Sequence, residues 1–369
     1  MLRVILTTGG TGGHVFPALA VAEELRKQIP DVQILFMGSR YGLEQHWVRD
    51  AEIEFVGLPV QGVLGRGFRA VGALVAMGIS ITEALSIMSD FKPDVILGFG
   101  SYASFAGLSA GILRRCPTLI HEQNAIPGLS NRVLAKFVKK ICLAIPDKMK
   151  KLPARKIALT GNPVRSEIIN LPAKTFRSKK KKLLVMGGSQ GAASINNAML
   201  RHLDEFKAAG IEVWHQTGNH GYVNVRDAYD KADYEDAKVL CFIDNVAEAY
   251  KWADLVVCRA GASTVAELAV SGTPSVLVPF PFATHNHQLH NAEYMLEHGA
   301  AVLVNDDDLA GGNFARTVLE LISDNKQLKT MAQAARELGH PDAAAKVVEC
   351  IKEVLPAKTV QENWGGNAK

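Results

Sequence analysis

One histidine, His14, sits inside the glycine-rich stretch "TTGGTGGHVFP". That stretch joins a strand-like apolar run, Val4-Ile5-Leu6, to Ala18, Leu19, Val21, Ala22 and Leu25, which recur with helical spacing. Imidazole exchanges protons near neutral pH. A strand-to-helix turn rich in glycine leaves backbone N–H groups at the positive end of the helix, where an anion or a sugar can approach. The residue types therefore permit base chemistry beside a bound anion or sugar, with helix capping or packing as the alternative role for His14. Common cofactor motifs do not fit. Gly10-Thr11-Gly12 matches half of G-x-G-x-x-G, but Val15 occupies the third glycine position, and "VQILFMGSR" ends without the usual acidic residue. No Gly-Lys-Ser/Thr follows, so a P-loop is excluded.

A second turn, "MGGSQGAAS", has the same plan. Gly187-Gly188-Ser189-Gln190-Gly191 aligns with Gly9-Gly10-Thr11-Gly12-Gly13, and Ala192 stands where the first turn has His14. The later turn reads as a plain anion cradle, whereas the earlier one adds a proton acceptor. This difference suggests that the C-terminal half holds a phosphate ligand and the N-terminal half supplies base and acceptor. In "CRAGASTVAELAVSG" the strand Leu255-Val256-Val257 feeds a helix predicted over Ala262–Ala269, with Gly261 and Ser263 at its start. Its N-terminus can hold a diphosphate. Glu267, one turn in, can accept two hydrogen bonds from a ribose diol or merely complement the helix dipole.

The elements that position these turns repeat. "PDVILGFGSYAS" (93–104) is answered by "ADLVVCRAGAST" (253–264), and "CPTLIHEQN" (116–124) by "TPSVLVPFP" (273–281). Three correspondences in one order predict an α/β chain of two similar units, each a doubly wound parallel sheet. Ligands of such sheets bind outside the carboxyl ends of the strands, where strand order reverses. Two facing units would place both glycine turns on one cleft. A length of 369 residues also favours two domains. The boundary is expected at the Asn162-Pro163 turn, giving 1–162 and 163–340, with a helix over Ala343–Val354 returning to the first unit so that 341–357 completes it. The basic run Lys179–Lys182 reads as a solvated strand entrance, with a lipid-headgroup role as the alternative, and the terminal "TVQENWGGNAK" is expected to fray.

With 48% hydrophobic and 21% charged residues, each half can bury a core. A net charge of +4 suits acidic ligands or an anionic membrane surface and falls short of a nucleic-acid binder. The five cysteines form no C-x-x-C pair and read as reduced, buried thiols of a cytosolic protein. The strand pattern starts at once, so no signal peptide is expected. No run reaches the ~18 apolar residues of a membrane span.

Taken together, "GGTGGHVFPALAVA", "HEQNAIPG", "GNPVR", "GGSQGA", "RAGASTVAE" and the Gln288 region resemble the bacterial peptidoglycan N-acetylglucosaminyltransferases of glycosyltransferase family 28, in order and over nearly the whole chain. The resemblance implies a GT-B fold, two Rossmann-like domains facing across a cleft. It also implies an inverting transfer of GlcNAc from UDP-GlcNAc to the 4-hydroxyl of the MurNAc-pentapeptide of undecaprenyl-pyrophosphoryl lipid I, giving lipid II for the cell wall. By the same resemblance Thr11, Gly12 and Gly13 border the sugar and acceptor site, and Asn124 contacts the donor sugar. Arg165 lies at the interdomain hinge facing the donor, Ser189 binds the diphosphate, and Ile243 offers backbone hydrogen bonds to the uracil. Ala262, Ser263, Thr264, Val265, Ala266 and Glu267 hold the diphosphate and ribose, with Glu267 on the ribose hydroxyls, and Gln288 contacts the GlcNAc hydroxyls. His287 departs from the family, which often has a second glutamine there. The implied enzyme needs no metal or other cofactor. It works as a peripheral protein on the cytoplasmic side of the inner (plasma) membrane, with the anionic leaflet and cell-wall or division machinery as partners.

For an inverting displacement His14 is the candidate base, and Glu122 is the alternative acting through water. His121-Glu122 is not a zinc H-E-x-x-H motif, because Ala125 occupies the second histidine position. Asp306-Asp307-Asp308 mimics a D-x-D metal motif but precedes a helix, so N-capping is expected instead. His285, His287 and His290 lack carboxylate or cysteine partners at ligand spacing and read as a loop beside the donor sugar. In 63–79 the apolar Leu64, Phe68, Val71, Leu74 and Val75 interleave with Arg66 and Arg69. That segment could rest on an anionic leaflet or pack into the core, and the resemblance favours the leaflet. Two rival activities are a UDP-GlcNAc 2-epimerase on a similar fold, which needs no lipid patch, and a nicotinamide-dependent dehydrogenase, which the failed fingerprint disfavours.

Overall fold

A computed structural model describes residues 1–60, 70–188 and 190–365. Ser189 lies outside the described residues, as do Leu64, Arg66, Phe68 and Arg69 and the side chains of Val71 and Leu74. The chain forms two compact units, Met1–Arg165 with Pro341–Lys369, and Ser166–His340.

In the first unit seven parallel strands are ordered β3-β2-β1-β4-β5-β6-β7. They are β1 (Arg3–Thr7), β2 (Gln33–Ser39), β3 (Glu54–Leu58), β4 (Val95–Gly98), β5 (Thr118–Glu122), β6 (Lys140–Leu143) and β7 (Ile157–Leu159). In the second unit six parallel strands are ordered β10-β9-β8-β11-β12-β13. They are β8 (Lys182–Met186), β9 (Glu212–Gln216), β10 (Ala237–Leu240), β11 (Leu255–Cys258), β12 (Ser275–Leu277) and β13 (Ala301–Leu303). Inner strands such as β4 and β11 read as near-continuous apolar runs because helices cover both sheet faces; all residues of β4, β5, β11 and β12 are buried, in β5 including the polar Thr118, His121 and Glu122.

Both sheets change direction at the same place. In the first, β1 pairs with β2 on one side and β4 on the other, with Val4 opposite Val95 and Thr7 opposite Gly98. In the second, β8 stands between β9 and β11, with Leu183 opposite Leu255 and Met186 opposite Cys258. The stretches that repeat in the sequence thus hold equal ranks: β1 and β8, β4 and β11, β5 and β12. Each switch point carries a glycine turn after its first strand and a helix start after its fourth, Ser101–Leu113 and Ala262–Ser271.

The helix Ala343–Val354 sinks Val347, Val348 and Ile351 into the first unit's core beside Leu2, Val4, Val15 and Leu25. The tail differs from expectation. It forms a further helix, Ala357–Trp364, whose Val360 and Trp364 pack on that core. The Trp364 indole N–H donates to Gln28 Oε1 at 3.0 Å. Apolar burial plus a satisfied indole overrides the polar composition that suggested fraying.

Candidate functional site

The first glycine turn ends in the helix Gly12–Gln28, capped by Thr11, so His14 is the third residue of a helix. Gly10 adopts a left-handed φ of 99° that permits the tight reversal. Beneath this turn lies Glu44, a carboxylate with 0% exposure. It accepts the Ser39 N–H at 2.7 Å and the Gly10 N–H at 3.4 Å. A Cβ on Gly42 would stand 1.7 Å from a Glu44 oxygen, so only glycine leaves room for it. The turn expected to admit an anion or a sugar therefore already has one of its backbone N–H groups engaged by a side-chain carboxyl of the protein.

Around His14 the fold gathers Gln123 directly and the expected Arg165 through Phe16. His14 Nδ1 is 2.9 Å from Oε1 of Gln123, the neighbour of Asn124. The Arg165 guanidinium lies 4.5 Å above the ring of Phe16, two residues beyond His14. Phe16 in turn tilts against Trp47 at 5.2 Å, giving Arg165 a cation–π seat on the same helix as the histidine. Asn124 donates to Glu122 Oε1 from its backbone N–H at 3.0 Å and from its side-chain amide at 3.3 Å. Glu122 Oε2 accepts the Gly128 N–H and the Asn131 side chain, each at 2.9 Å. With four donors on a buried carboxylate, Glu122 organises the 124–128 loop.

The second turn is built differently. Gly188 and Gly191 take φ of 79° and 76°, and Ala192 is the cap of the helix Ala193–Arg201. The residue aligned with His14 thus precedes its helix instead of entering it. Here the partner is a neutral amide. Gln216 accepts the Gly187 N–H at 3.1 Å and donates to the Gly188 carbonyl at 3.1 Å and the Cys241 carbonyl at 3.0 Å. No carboxylate takes the place that Glu44 holds in the first unit, among the described residues. Below it, burial pushes His215 down to about 3. The ring is neutral and bridges Asn196 Oδ1 at 3.1 Å and the Tyr229 hydroxyl at 3.2 Å.

Ala262, Ser263, Thr264 and Val265 form the first turn of the helix Ala262–Ser271, capped by Gly261, and Ala266 and Glu267 follow. The helix runs two residues past its expected end, to the left-handed Gly272. Glu267 is buried, and Tyr250 donates to its Oε2 at 3.0 Å. Tyr250 belongs to the helix Val246–Trp252, which follows the turn holding the buried Ile243. Gln288 lies in the first turn of the helix His287–Glu297 and accepts the Phe280 N–H at 3.0 Å. Asn291, one turn on, donates to the Ala260 carbonyl at 3.2 Å and ties that helix to the end of β11.

The aspartate run does not N-cap a helix. Asp306–Ala310 is a short 3₁₀ turn capped by Asn305. Asp306 Oδ1 pairs with Arg259 at 2.5 Å and accepts the Ser194 hydroxyl at 2.7 Å. Arg259 also donates to Ser194 at 2.7 Å and lies 5.3 Å from the Phe280 ring centroid. The attraction of a cation sequestered on β11's exit outweighs a local capping role. Among the described residues no group of three His, Cys, Asp or Glu side chains could hold a metal ion. His287 instead donates from Nδ1 to the Thr284 carbonyl at 2.8 Å, and His290 pairs with Glu293 at 2.8 Å.

Sequence reasoning missed Glu44, Gln123, Tyr250 and Arg259. The polar Gln123 inside "HEQN", next to a strand, was the one local signal; the others carry none.

Comparison with known proteins gives two family matches. Residues 4–143 match the glycosyltransferase family 28 N-terminal domain and residues 182–347 its C-terminal domain. The chain is 51% identical over 358 residues to the UDP-N-acetylglucosamine–N-acetylmuramyl-(pentapeptide) pyrophosphoryl-undecaprenol N-acetylglucosamine transferase of Nitratidesulfovibrio vulgaris (strain Hildenborough), covering 96% of this chain and 98% of that protein. Among solved structures, Acinetobacter baumannii MurG superposes with a TM-score of 0.75 at 30% identity, covering 96% of this chain and all (100%) of that one. UDP-GlcNAc 2-epimerase from Neisseria meningitidis superposes with a TM-score of 0.68 at 15% identity, covering 95% of this chain and 100% of that one, a likeness of fold alone.

Proposed function

This chain belongs to glycosyltransferase family 28, and from that premise we propose how its residues carry out the family's sugar transfer. The protein is an N-acetylglucosaminyltransferase of the GT-B fold. It moves GlcNAc from UDP-GlcNAc to the 4-hydroxyl of the MurNAc-pentapeptide of undecaprenyl-pyrophosphoryl lipid I, forming lipid II for peptidoglycan. The epimerase and dehydrogenase readings fall with this membership.

In our reading the second unit grips the donor. Ser189 and the second glycine turn, together with Ala262–Ala266 at a helix N-terminus, hold the diphosphate through backbone N–H groups and the helix dipole. Ile243 meets the uracil, Glu267 the ribose hydroxyls, and Gln288 and Asn124 the GlcNAc. The first unit presents the acceptor at Thr11, Gly12 and Gly13. His14 Nε2 takes the proton of the 4-hydroxyl as its oxygen bonds to C1, and UDP leaves with the electron pair of the broken C1–O bond. Arg165 adds positive charge for the departing diphosphate.

The observation that carries this division is the contrast between the turns: a buried carboxylate and a held histidine in the first, a neutral glutamine and no carboxylate in the second. Labelled UDP-GlcNAc with a short-chain lipid I analogue tests it. Acceptor-dependent UDP release supports transfer, and sugar epimerised without acceptor would refute it.

The same proposal places the first unit against an anionic leaflet on the cytoplasmic side. No described helix is long and apolar enough to cross a membrane. Support for surface contact comes from Val75 and Ile79, exposed at 59% and 50%, and from the exposed Leu129 and Val133 on the helix Leu129–Leu134 and Phe137 in the turn after it, beside exposed Lys136 and Lys139. Cell-wall or division machinery would meet the enzyme at that surface. Cosedimentation with vesicles containing anionic lipid, lost in high salt, checks the leaflet contact.

A further inference from the structure

Gln123 bridges two imidazoles. Its Oε1 lies 2.9 Å from His14 Nδ1, and its Nε2 lies 3.1 Å from His121 Nδ1 and 3.2 Å from the His121 carbonyl oxygen. At the far end His121 Nε2 lies 3.0 Å from the Gly161 carbonyl, which also accepts the Thr160 hydroxyl at 2.9 Å. Two members of this chain are backbone carbonyls, which can only accept. The Gly161 carbonyl therefore requires a proton on His121 Nε2. The His121 carbonyl requires the amide nitrogen of Gln123 to face it, so Oε1 must face His14. His121 is buried and rests against Phe99 at 5.4 Å; burial pushes it down to about 4, so the ring is neutral and its Nδ1 accepts from Gln123. Every donor and acceptor is assigned without reference to His14, and only one role is left for its Nδ1.

We infer that Gln123 and His121 are positioning residues that hold His14 as the Nδ1–H tautomer and so keep the Nε2 lone pair for the acceptor hydroxyl. The inference rests on the reading of His14 as the base. In the opposite tautomer the lone pairs of His14 Nδ1 and Gln123 Oε1 would face each other. When Nε2 takes the proton, the Nδ1–H bond to Gln123 becomes charge-assisted and shortens. The amide oxygen stabilises the imidazolium without taking a proton, so no proton travels past Nδ1. The chain differs from a carboxylate partner in leaving the donor's diphosphate no extra negative charge to oppose.

Long-range ¹H–¹⁵N correlation spectra of the full-length protein labelled with ¹⁵N-histidine read the tautomer directly, with the His14 signals assigned from His14→Ala. At a pH where the ring is neutral, Nδ1 is expected as the protonated, pyrrole-type nitrogen and Nε2 as the pyridine-type one. Gln123→Met, similar in length but with no donor and only a weak thioether acceptor, should shift His14 to mixed tautomers and lower kcat about tenfold or more. KM for UDP-GlcNAc should move by less than about twofold, since Gln123 itself is given no contact with the donor and Asn124 stays tied to Glu122. His121→Phe keeps the contact with Phe99, releases Gln123 and should act in the same direction. A wild-type His14 protonated on Nε2 would overturn the inference, even if neither variant folds. An unchanged spectrum in Gln123→Met, or unchanged kcat beside a mixed tautomer, would overturn it as well. Turnover of His14→Ala tests the base assignment separately: full activity there removes the base, while the spectrum still decides the tautomer.

Discussion

The Tyr250 hydroxyl donates to Glu267 at 3.0 Å, and both side chains are buried. The bond helps orient the carboxylate. Glu267→Ala should weaken UDP binding by about tenfold to a hundredfold, as expected for lost hydrogen bonds to a charged group. Tyr250→Phe removes the orienting bond, worth about 1 kcal/mol, and should raise the Kd about fivefold. Titration calorimetry with UDP checks both. An unchanged Kd in Glu267→Ala would take that residue out of the ribose site.

His14→Ala should separate binding from chemistry. Loss of a general base lowers turnover by about a hundredfold or more, while the UDP Kd stays within about twofold because His14 is proposed to meet the acceptor hydroxyl and not the uracil, ribose or diphosphate. Single-turnover rates with labelled UDP-GlcNAc, beside equilibrium UDP binding, give the two numbers. Equal damage to both would mean that His14 supports the fold of the turn and not the reaction.

Stability should fall on mild acidification, and each unit has its own cause. His121 in the first and His215 in the second are buried neutral, pushed from 6.5 to about 4 and about 3. The unfolded chain therefore binds more protons than the folded one between those values and 6.5, so each group's contribution is present above pH 6.5 and is lost as pH falls toward the folded value. Between pH 7 and 5 the loss is about 2 kcal/mol per histidine. Urea unfolding at the two pH values measures it. His215→Gln should flatten the pH dependence of the second unit and leave that of the first.

Asp306→Ala should behave as a folding variant. It removes the carboxylate that neutralises the Arg259 guanidinium, whose side chain is only 13% exposed and would keep only the neutral acceptors Ser194, Val278 and Pro279, and should destabilise the second unit by about 1–3 kcal/mol. Chemical denaturation gives the shift, and the double variant Arg259→Leu/Asp306→Ala should recover part of it. A metal role for Asp306 would show instead as a loss of turnover that chelators reproduce in the unaltered enzyme.

Several features were legible because they are local. Apolar runs of four or five residues, glycine turns and the helical spacing of Ala18 to Leu25 depend on neighbours in the chain, and the repeat of β1, β4 and β5 in β8, β11 and β12 needs only self-comparison. Glu44, Gln123 and Arg259 were silent for the opposite reason. Glu44 reaches a turn 34 residues away, Gln123 a histidine 109 away, and Arg259 an aspartate 47 away. An isolated glutamate at a helix start looks like any first-turn acid. Asp306 misled in the same way: its neighbours suggested a cap, and the folded chain offered it a sequestered guanidinium.

The sequence alone determined that this chain would build two parallel sheets with a glycine turn at each switch point, because periodicity and backbone freedom act over a few residues. It also determined which turn carries a histidine. Only the tertiary structure decided what each turn can hold. A buried polar group must find a partner wherever the packed strands bring one, and that choice put a carboxylate under the first turn, an amide under the second and Gln123 against His14.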